Sequence, residues 1–524
     1  MAYRGTVVAR RGVVATAHPL ATQAGVAMLR SGGSFMDAAV AAAAVLNVVE
    51  PYNSHLGGDL FLLAYTAADG AVTAINASGA CPRSATPERF PNGIPPRHIS
   101  AVTVPGMVDG WLTALARFGR KPLPEVLAAA VDYAENGFPA NPRFAATVAG
   151  AAPELGGREA WAKVFLPDGR PPEVGQIVRQ PDLARSLKAI AEGGRSAFYE
   201  GEIADAIVRY AGQRGGFLAL QDFQDHSSEL RDPISTTYRG CRVYEQPPVS
   251  QGHILLEELN ILECFDIGAL GPFSAAGVHI MVEAKKLAFA DRHAYSGDHR
   301  FVDIPIQELI SKEFANRRAA QIDPLRAAER PAAGALGTHG TETTYLCVAD
   351  SDGNAVSFIQ SLFHGFGCGE LVPGTGILLN NRLTGFSLEP TSPNYLQPGK
   401  RPIHTLNTFL ITKDGRLSVV GGTPGGDVQV QTNLQTITCL IDANMDPQDV
   451  AEAPKWTSGD GLHVAMESRY PAETIEGMKQ MGHKVTVGGP LTQGCAVQVI
   501  RVHPESGAYM AGSDPRCDGQ AAGY

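Results

Sequence analysis

The sequence contains none of the short motifs that most often mark a hydrolase or a metal site. No serine lies in a GxSxG elbow, no GxxxxGK[ST] phosphate loop occurs, and none of the 14 histidines is followed by glutamate, which excludes an HExxH zinc helix. The eight cysteines never form a CxxC pair, so we interpret them as reduced, buried thiols. We therefore expect no metal and no cofactor.

Long apolar runs and runs of positive charge are missing as well. The longest apolar stretch, residues 38–49, is shorter than a membrane span and contains Asn47, and the first residues lack the apolar core of a signal peptide. Lys and Arg number 43 against 53 Asp and Glu, a net charge of −10, which makes nucleic acid and anionic membranes poor partners. We expect a cytoplasmic protein that binds neither nucleic acid nor membrane.

The order of the predicted elements indicates a layered α+β body. Residues 6–16 are typical of a strand pair around Gly12, the Ala- and Val-rich stretch from Asp37 predicts a buried helix, and residues 123–330 are mainly helical in pattern. Two hairpins with Asp-Gly turns follow the Gly-rich segment 331–342. Their predicted strands are residues 343–349, 355–362, 408–412 and 417–420. Helices that are separated from hairpins in this way are typical of α+β folds.

Thr343 is the strongest candidate for a nucleophile, because it begins a predicted strand directly after the Gly-rich segment. A chain cut before it would expose a threonine whose hydroxyl attacks and whose own α-amine, with a pKa of about 7.7–8.0, accepts the proton. Ser361 lies on the second strand of the same hairpin, and Gly425 and Gly426 lie in a turn between a strand and a helix. Each feature alone is also explained by ordinary strands and turns.

Seven segments, spread in order over nearly the whole chain, resemble the γ-glutamyltransferase superfamily. They are residues 38–41, 56–59, 343–354, 374–381, 400–402, 422–426 and 512–516. The resemblance implies an N-terminal-nucleophile hydrolase with a four-layer αββα sandwich and helical embellishments from a large subunit. It also implies a precursor that cuts itself between Glu342 and Thr343 into a large subunit, residues 1–342, and a small subunit, residues 343–524.

The same resemblance implies roles for the catalytic residues. Thr343 takes the place of the nucleophile, and Ser361 takes the place of a threonine whose hydroxyl supports it. Gly425 and Gly426 fall on the oxyanion hole. Two successive backbone N–H groups aimed at one point can stabilise a tetrahedral oxyanion, and the loss of one such donor typically lowers the rate by a factor of about 10²–10³.

The predicted pocket departs from the γ-glutamyl pattern at two charged contacts. Ser78 stands where relatives carry an arginine for the substrate α-carboxylate, and Gly385 stands where they carry an acidic residue for the α-ammonium. A buried ammonium without a counter-charge is costly. The connection 386–400 is also short beside relatives that carry a lid loop over the site, which favours hydrolysis over transfer.

Four further positions differ from the residues that relatives carry there, and we take them as the predicted substrate-binding residues. They are Arg382, Phe363, His404 and Thr405. An arginine suits a substrate carboxylate. The alternatives are a salt bridge from Arg382 to a neighbour such as Glu389, and a purely structural role for His404.

We therefore expect hydrolysis of a small carboxylate-bearing amide, as in the oxamate-amidohydrolase-like branch of the superfamily. One alternative is a γ-glutamyltransferase or glutathione hydrolase with a divergent pocket, and another is a non-catalytic binding member of the fold. The expected partners are a small-molecule amide and the two subunits of one precursor. The sequence leaves open whether the processed heterodimer forms a homo-oligomer.

Overall fold

The computed structural model describes residues 4–329, 342–459 and 461–524. Its strands are β1 Val7–Ala9, β2 Val13–Thr16, β3 Asp59–Thr66, β4 Ala71–Ala77, β5 Phe138–Pro139, β6 Ile177–Val178, β7 Glu229–Arg231, β8 Ile234–Tyr238, β9 Cys241–Glu245, β10 Glu342–Ala349, β11 Ala355–Phe363, β12 Leu371–Val372, β13 Ile377–Leu378, β14 Thr408–Lys413, β15 Arg416–Gly422, β16 Trp456–Ser458, β17 His463–Glu467, β18 Lys484–Gly488, β19 Gln498–Val502, β20 Tyr509–Ser513 and β21 Gln520–Gly523.

The helices are α1 Pro19–Arg30, α2 Phe35–Val49, α3 Met107–Phe118, α4 Leu123–Asn136, α5 Pro142–Leu155, α6 Glu159–Phe165, α7 Pro181–Tyr199, α8 Glu202–Gln213, α9 Leu220–Gln224, α10 Gly252–Leu262, α11 Ile267–Leu270, α12 Ala275–Tyr295, α13 Ile306–Leu309, α14 Lys312–Ala319, α15 Val428–Ile441, α16 Pro447–Glu452 and α17 Ala472–Gln480. Within the described ranges, none of these helices combines the length and the apolar character that a bilayer crossing requires.

Two seven-stranded antiparallel sheets form the centre of the molecule. The first has the order β1-β20-β19-β15-β14-β9-β8, and the second has the order β21-β2-β10-β11-β3-β4-β7. Because side chains alternate between the two faces of a strand, each sheet presents one face to the other. The layer between the sheets contains the buried side chains of Phe61, Tyr345, Ile359, Leu410 and Val420.

Helices cover the outer face of each sheet. On the second sheet, Leu62, Leu346 and Phe358 join a core with α2, whose residues are all buried. On the first sheet, Ile411 and Val499 join a core with α10, α12 and α15. This order of layers confirms the predicted α+β fold and its four-layer αββα sandwich.

The structure corrects several local predictions. Residues 6–16 do not form a strand pair, because β1 pairs with β20 while β2 lies between β10 and β21, in the other sheet. The second helix begins at Phe35 rather than Asp37, since Ser34 caps it and Asp37 completes a capping box. The mainly helical region also contributes β5–β9. All eight cysteines are free, but Cys264 is exposed whereas the other seven are buried.

Candidate active site

The hairpin of β10 and β11 brings Thr343 and Ser361 together in the centre of the second sheet. Thr343 Oγ1 donates a hydrogen bond to Ser361 Oγ over 3.1 Å, and both residues are buried. The strand register shifts between Glu342 and Thr344, so Thr343 lies opposite a bulge-like irregularity of β11. Bulges re-aim side chains, and they are frequent next to active sites. The structure therefore places the predicted nucleophile beside its predicted supporting hydroxyl.

Asp59 lies next to this pair on the neighbouring strand. Ser361 is directly opposite Asp59 in the antiparallel pair of β11 and β3, so their side chains share a face. The Asp59 carboxylate is fully buried, and it accepts hydrogen bonds from Gly79 N over 2.8 Å and from Arg382 Nε over 3.2 Å. Burial raises the pKa of Asp59 to about 6, although Arg382 opposes this rise. The sequence assigns Asp59 no role of its own beyond its place in the family-like segment 56–59.

Arg382 is a buried cation whose guanidinium is only partly satisfied. Nε pairs with Asp59, while Nη1 and Nη2 have no hydrogen-bond partner among the described residues. The guanidinium carbon lies 4.2 Å from the ring centroid of Phe363. Burial lowers the pKa of Arg382 to about 10, so the side chain stays charged at neutral pH. The salt bridge considered from the sequence exists, but its partner is Asp59 and not Glu389.

Phe363 and His404 border this cation. Phe363 has a left-handed backbone with φ of 84°, and its N–H donates to Ser361 Oγ over 2.8 Å. The His404 ring centroid lies 5.0 Å from that of Phe61, in the layer between the sheets. Burial, together with Arg382 and Arg401, holds the pKa of His404 well below its usual value, so the ring is neutral.

The surroundings of His404 do not fit a satisfied structural histidine. Neither ring nitrogen has a hydrogen-bond partner in the part of the chain that the structure describes. Its neighbour Thr405 is buried, and the Thr405 carbonyl accepts a hydrogen bond from Gln251 Nε2 over 2.6 Å. His404 therefore has donor and acceptor capacity to spare beside Arg382.

The strand that leads into the turn of Gly425 and Gly426 lies against the hairpin of β10 and β11. Ser357, which pairs with Cys347, donates to Gly421 O over 3.1 Å, and a Cβ on Gly422 would lie 2.5 Å from the Tyr345 ring. The last two residues of β15 therefore lie beside Ser357 and Tyr345, on the two strands that carry Ser361 and Thr343.

Both glycines of this turn have backbone angles that favour glycine. Gly425 has φ of +129° and Gly426 has φ of +59°. A Cβ on Gly425 would also lie 2.4 Å from Gly494 O. The turn then leads directly into α15.

Glu50 supports strand β10, which carries the predicted nucleophile, from the helical side, and sequence reasoning missed it. Thr344 Oγ1 donates to Glu50 Oε2 over 3.1 Å, and Asn53 Nδ2 donates to the same oxygen over 3.2 Å. Burial raises the pKa of Glu50 to about 7, although these hydrogen bonds lower it. The available signal was a lone acidic residue directly after the mostly apolar stretch 38–49.

The two positions predicted to lack γ-glutamyl contacts carry no charged side chain. Ser78 is buried, and its hydroxyl donates to Asn76 Oδ1 over 2.6 Å. Gly385 ends a short 3₁₀ turn, and its carbonyl accepts a hydrogen bond from Asn394 Nδ2 over 2.7 Å. Neither position offers a partner for an α-carboxylate or an α-ammonium.

One buried trio among the described residues has the donor atoms of a metal site. It consists of His279, Glu283 and His483, whose candidate ligand atoms lie within 4.8 Å of one another. His279 Nδ1 and His483 Nε2 are 2.8 Å apart, a hydrogen-bond distance, and Lys286 Nζ donates to Glu283 Oε1 over 2.7 Å. Because a lysine already neutralises the carboxylate, we assign this trio no metal.

Two antiparallel sheets between helical layers, with a hydroxyl residue at the start of a central strand, define the class of N-terminal-nucleophile hydrolases. The chain belongs to the gamma-glutamyltranspeptidase family, since the profile of Gamma-glutamyltranspeptidase matches residues 21–524. It is an enzyme that acts on amide bonds, and the superfamily predicted from the sequence is confirmed.

Relatives in this family cover the whole chain. The Glutathione hydrolase-like YwrD proenzyme of Bacillus subtilis (strain 168) is 40% identical over 534 residues, 99% of each protein. The Oxamate amidohydrolase proenzyme of Klebsiella pneumoniae is 35% identical over 537 residues, again 99% of each. The crystal structure of cephalosporin acylase from Bacillus halodurans has a TM-score of 0.94 at 36% identity, covering 100% of this chain and 98% of that one. The names of the two curated relatives mark them as proenzymes, which supports a self-processing amidohydrolase.

Proposed function

We propose that the mature enzyme hydrolyses small amides whose acyl group ends in a carboxylate. The observation that carries this substrate class is the fully buried Arg382, which has two terminal nitrogens without a partner among the described residues. Buried charges are normally paired and hydrogen-bonded, so a site of this kind favours an anionic ligand. A substrate carboxylate would accept two parallel hydrogen bonds from these nitrogens.

We infer that maturation separates residues 1–342 from residues 343–524. Cleavage of the bond between Glu342 and Thr343 frees the α-amine of Thr343. This amine takes the proton from Thr343 Oγ1 as the hydroxyl oxygen attacks the substrate carbonyl carbon. The N–H groups of Gly425 and Gly426 stabilise the resulting oxyanion.

The reaction then proceeds through an acyl-enzyme on Thr343. The protonated α-amine gives its proton to the departing amine, and the C–N bond breaks. A water molecule next attacks the ester carbon while the same α-amine accepts its proton, which releases the carboxylic acid and restores the Thr343 hydroxyl. Ser361 Oγ accepts the hydrogen bond from Thr343 and is itself held by the Phe363 N–H, so it orients the nucleophile.

The surroundings of Arg382 also argue against an α-ammonium on the substrate. The acidic side chain beside Arg382, Asp59, is already paired with it, and Ser78 and Gly385 add no negative charge. Arg382 itself would repel a second cation. The neutral His404 ring adds an uncharged hydrogen-bonding group to the same space. Oxamate, the substrate named for one relative, is an amide with a carboxylate and no amino group.

A matched pair of substrates tests the proposal. Glutaryl p-nitroanilide and γ-glutamyl p-nitroanilide differ only in the α-amino group, which the glutaryl compound lacks. We expect the glutaryl compound to have the higher kcat/KM by about one to two powers of ten, because a hydrogen bond to a charged group is worth about 1.5–3 kcal/mol. Oxamate should release ammonia in the same preparation.

The control is the Thr343→Ala variant, which should be inactive towards all three compounds. Faster cleavage of the γ-glutamyl anilide would instead support a glutathione hydrolase with a divergent pocket. Binding without cleavage by the processed wild type would support a non-catalytic member.

A further inference from the structure

The glycine turn of the proposed oxyanion hole needs support from outside. Backbone N–H donors accelerate a reaction only when their directions are set before the oxyanion forms. Glycine has the largest backbone freedom of any residue, and Gly425 and Gly426 are consecutive. The contacts that hold this turn therefore matter for catalysis even where they do not touch the substrate.

Arg292, near the end of α12, contacts the residue that follows the two glycines. Arg292 Nη1 donates to Asp427 Oδ1 over 2.5 Å. Arg292 is 1% exposed, whereas the Asp427 side chain is 26% exposed. Nε and Nη2 of Arg292 have no hydrogen-bond partner within the described ranges, so Asp427 compensates for burial of this charge. Leaving a buried charge without its partner is unfavourable, so the buried Arg292 holds Asp427 against α12.

Gln251, the N-cap residue of α10, holds the same turn from another side. Its Nε2 donates to Thr405 O over 2.6 Å and lies 3.5 Å from Gly426 O, at the outer limit of a hydrogen bond. The side chain is 2% exposed. One amide thus connects the glycine turn with the segment that carries His404.

We propose that Arg292, assisted by Gln251, is a positioning residue for the oxyanion hole. By this inference, the large subunit fixes the turn of the small subunit through the contact with Asp427. The inference rests on the proposed role of Gly425 and Gly426. Because Arg292 touches neither the nucleophile nor Arg382, its loss should weaken transition-state binding and leave substrate binding nearly unchanged.

The test uses the processed full-length enzyme with Arg292→Met and, separately, Asp427→Asn. We expect kcat for glutaryl p-nitroanilide to fall tenfold or more in both variants, with KM within about twofold of wild type. A boronic acid that mimics the tetrahedral intermediate should lose affinity in proportion to kcat, while inhibition by glutarate should not change. The double variant should have a kcat no lower than that of the slower single variant, because both substitutions break the same contact between Arg292 and Asp427.

The matched control is Asp291→Asn, on the neighbouring residue of α12. Asp291 pairs with Arg318 of α14 and has no role in the site, so kcat and boronate affinity should stay at the wild-type level. Arg292→Lys retains the positive charge and should recover part of the lost kcat. This variant and Asp427→Asn keep the test informative if Arg292→Met fails to fold.

Unchanged kcat in processed Arg292→Met or Asp427→Asn would overturn the positioning role. So would an equal loss of boronate and glutarate affinity, which would indicate a general distortion of the pocket. A different result would contradict the proposed oxyanion hole itself: the wild type would then bind the boronic acid no more tightly than glutarate.

Discussion

Replacing Arg382 by glutamine is the sharpest test of the substrate pocket. The Arg382→Gln variant keeps a polar side chain but removes the charge and the two terminal nitrogens that lack a partner among the described residues. The informative quantity is the ratio of kcat/KM for glutaryl p-nitroanilide to that for pentanoyl p-nitroanilide, which has the same chain length and no carboxylate. A charged hydrogen bond is worth about 1.5–3 kcal/mol, so this ratio should fall by a factor of about 10–150.

The partner variant Asp59→Asn separates selectivity from stability. In Arg382→Gln, Asp59 loses its counter-charge, but burial has already raised its pKa to about 6, so it can take up a proton. In Asp59→Asn, the buried Arg382 cannot readily lose its charge, and breaking a buried pair in this way costs about 3–5 kcal/mol. Chemical denaturation should therefore give Asp59→Asn a lower unfolding free energy than Arg382→Gln.

Two results would refute this reasoning. An unchanged glutaryl-to-pentanoyl ratio in folded, processed Arg382→Gln would show that Arg382 does not bind the substrate carboxylate. A larger loss of stability in Arg382→Gln than in Asp59→Asn would show that Asp59, rather than Arg382, is the residue whose buried charge most needs its partner.

Three further predictions concern maturation, the catalytic base and stability. Wild type should give two bands on a denaturing gel, with a small fragment whose sequence begins Thr-Thr-Tyr-Leu, whereas Thr343→Ala should stay uncut; another first residue would move the nucleophile. The kcat/KM profile should rise with a pKa at or somewhat below about 8, and His404→Gln should keep this rise, because the base is an α-amine; a lost rise would favour a histidine base. Burial raises the pKa of Glu50 from 4.5 to about 7, so between these two pH values the folded state keeps a proton that the unfolded state releases. The unfolding free energy of the wild type should therefore fall by about 3 kcal/mol as the pH rises through this window. Denaturation at pH 5 and pH 8 should show that Glu50→Gln lacks this fall, and an equal fall in wild type and variant would contradict the prediction.

Short-range sequence patterns are enough to predict the local elements that carry the candidate chemistry. Two mostly apolar runs on either side of an Asp-Gly turn predict the hairpin of β10 and β11, and a hairpin places Ser361 across from the residues that begin β10. The Gly-Gly turn between a strand and a helix was likewise predictable, because short-range patterns determine where elements begin and end. The identity of the fold came from motifs distributed along the chain.

Which distant residues meet in and around the site follows from the folded arrangement alone. Asp59 and Arg382 are 323 positions apart, and Arg292 and Asp427 are 135 positions apart, so no local pattern signals either pair. The assignment of β1 and β2 to different sheets has the same origin, since each strand pairs with strands near the end of the chain. Periodicity specifies the face that a strand buries, but its neighbours depend on the packing of the whole sandwich. The charge state of the site therefore depends on the assembled layers, because burial and ion pairing shift the pKa values of groups that meet only after folding.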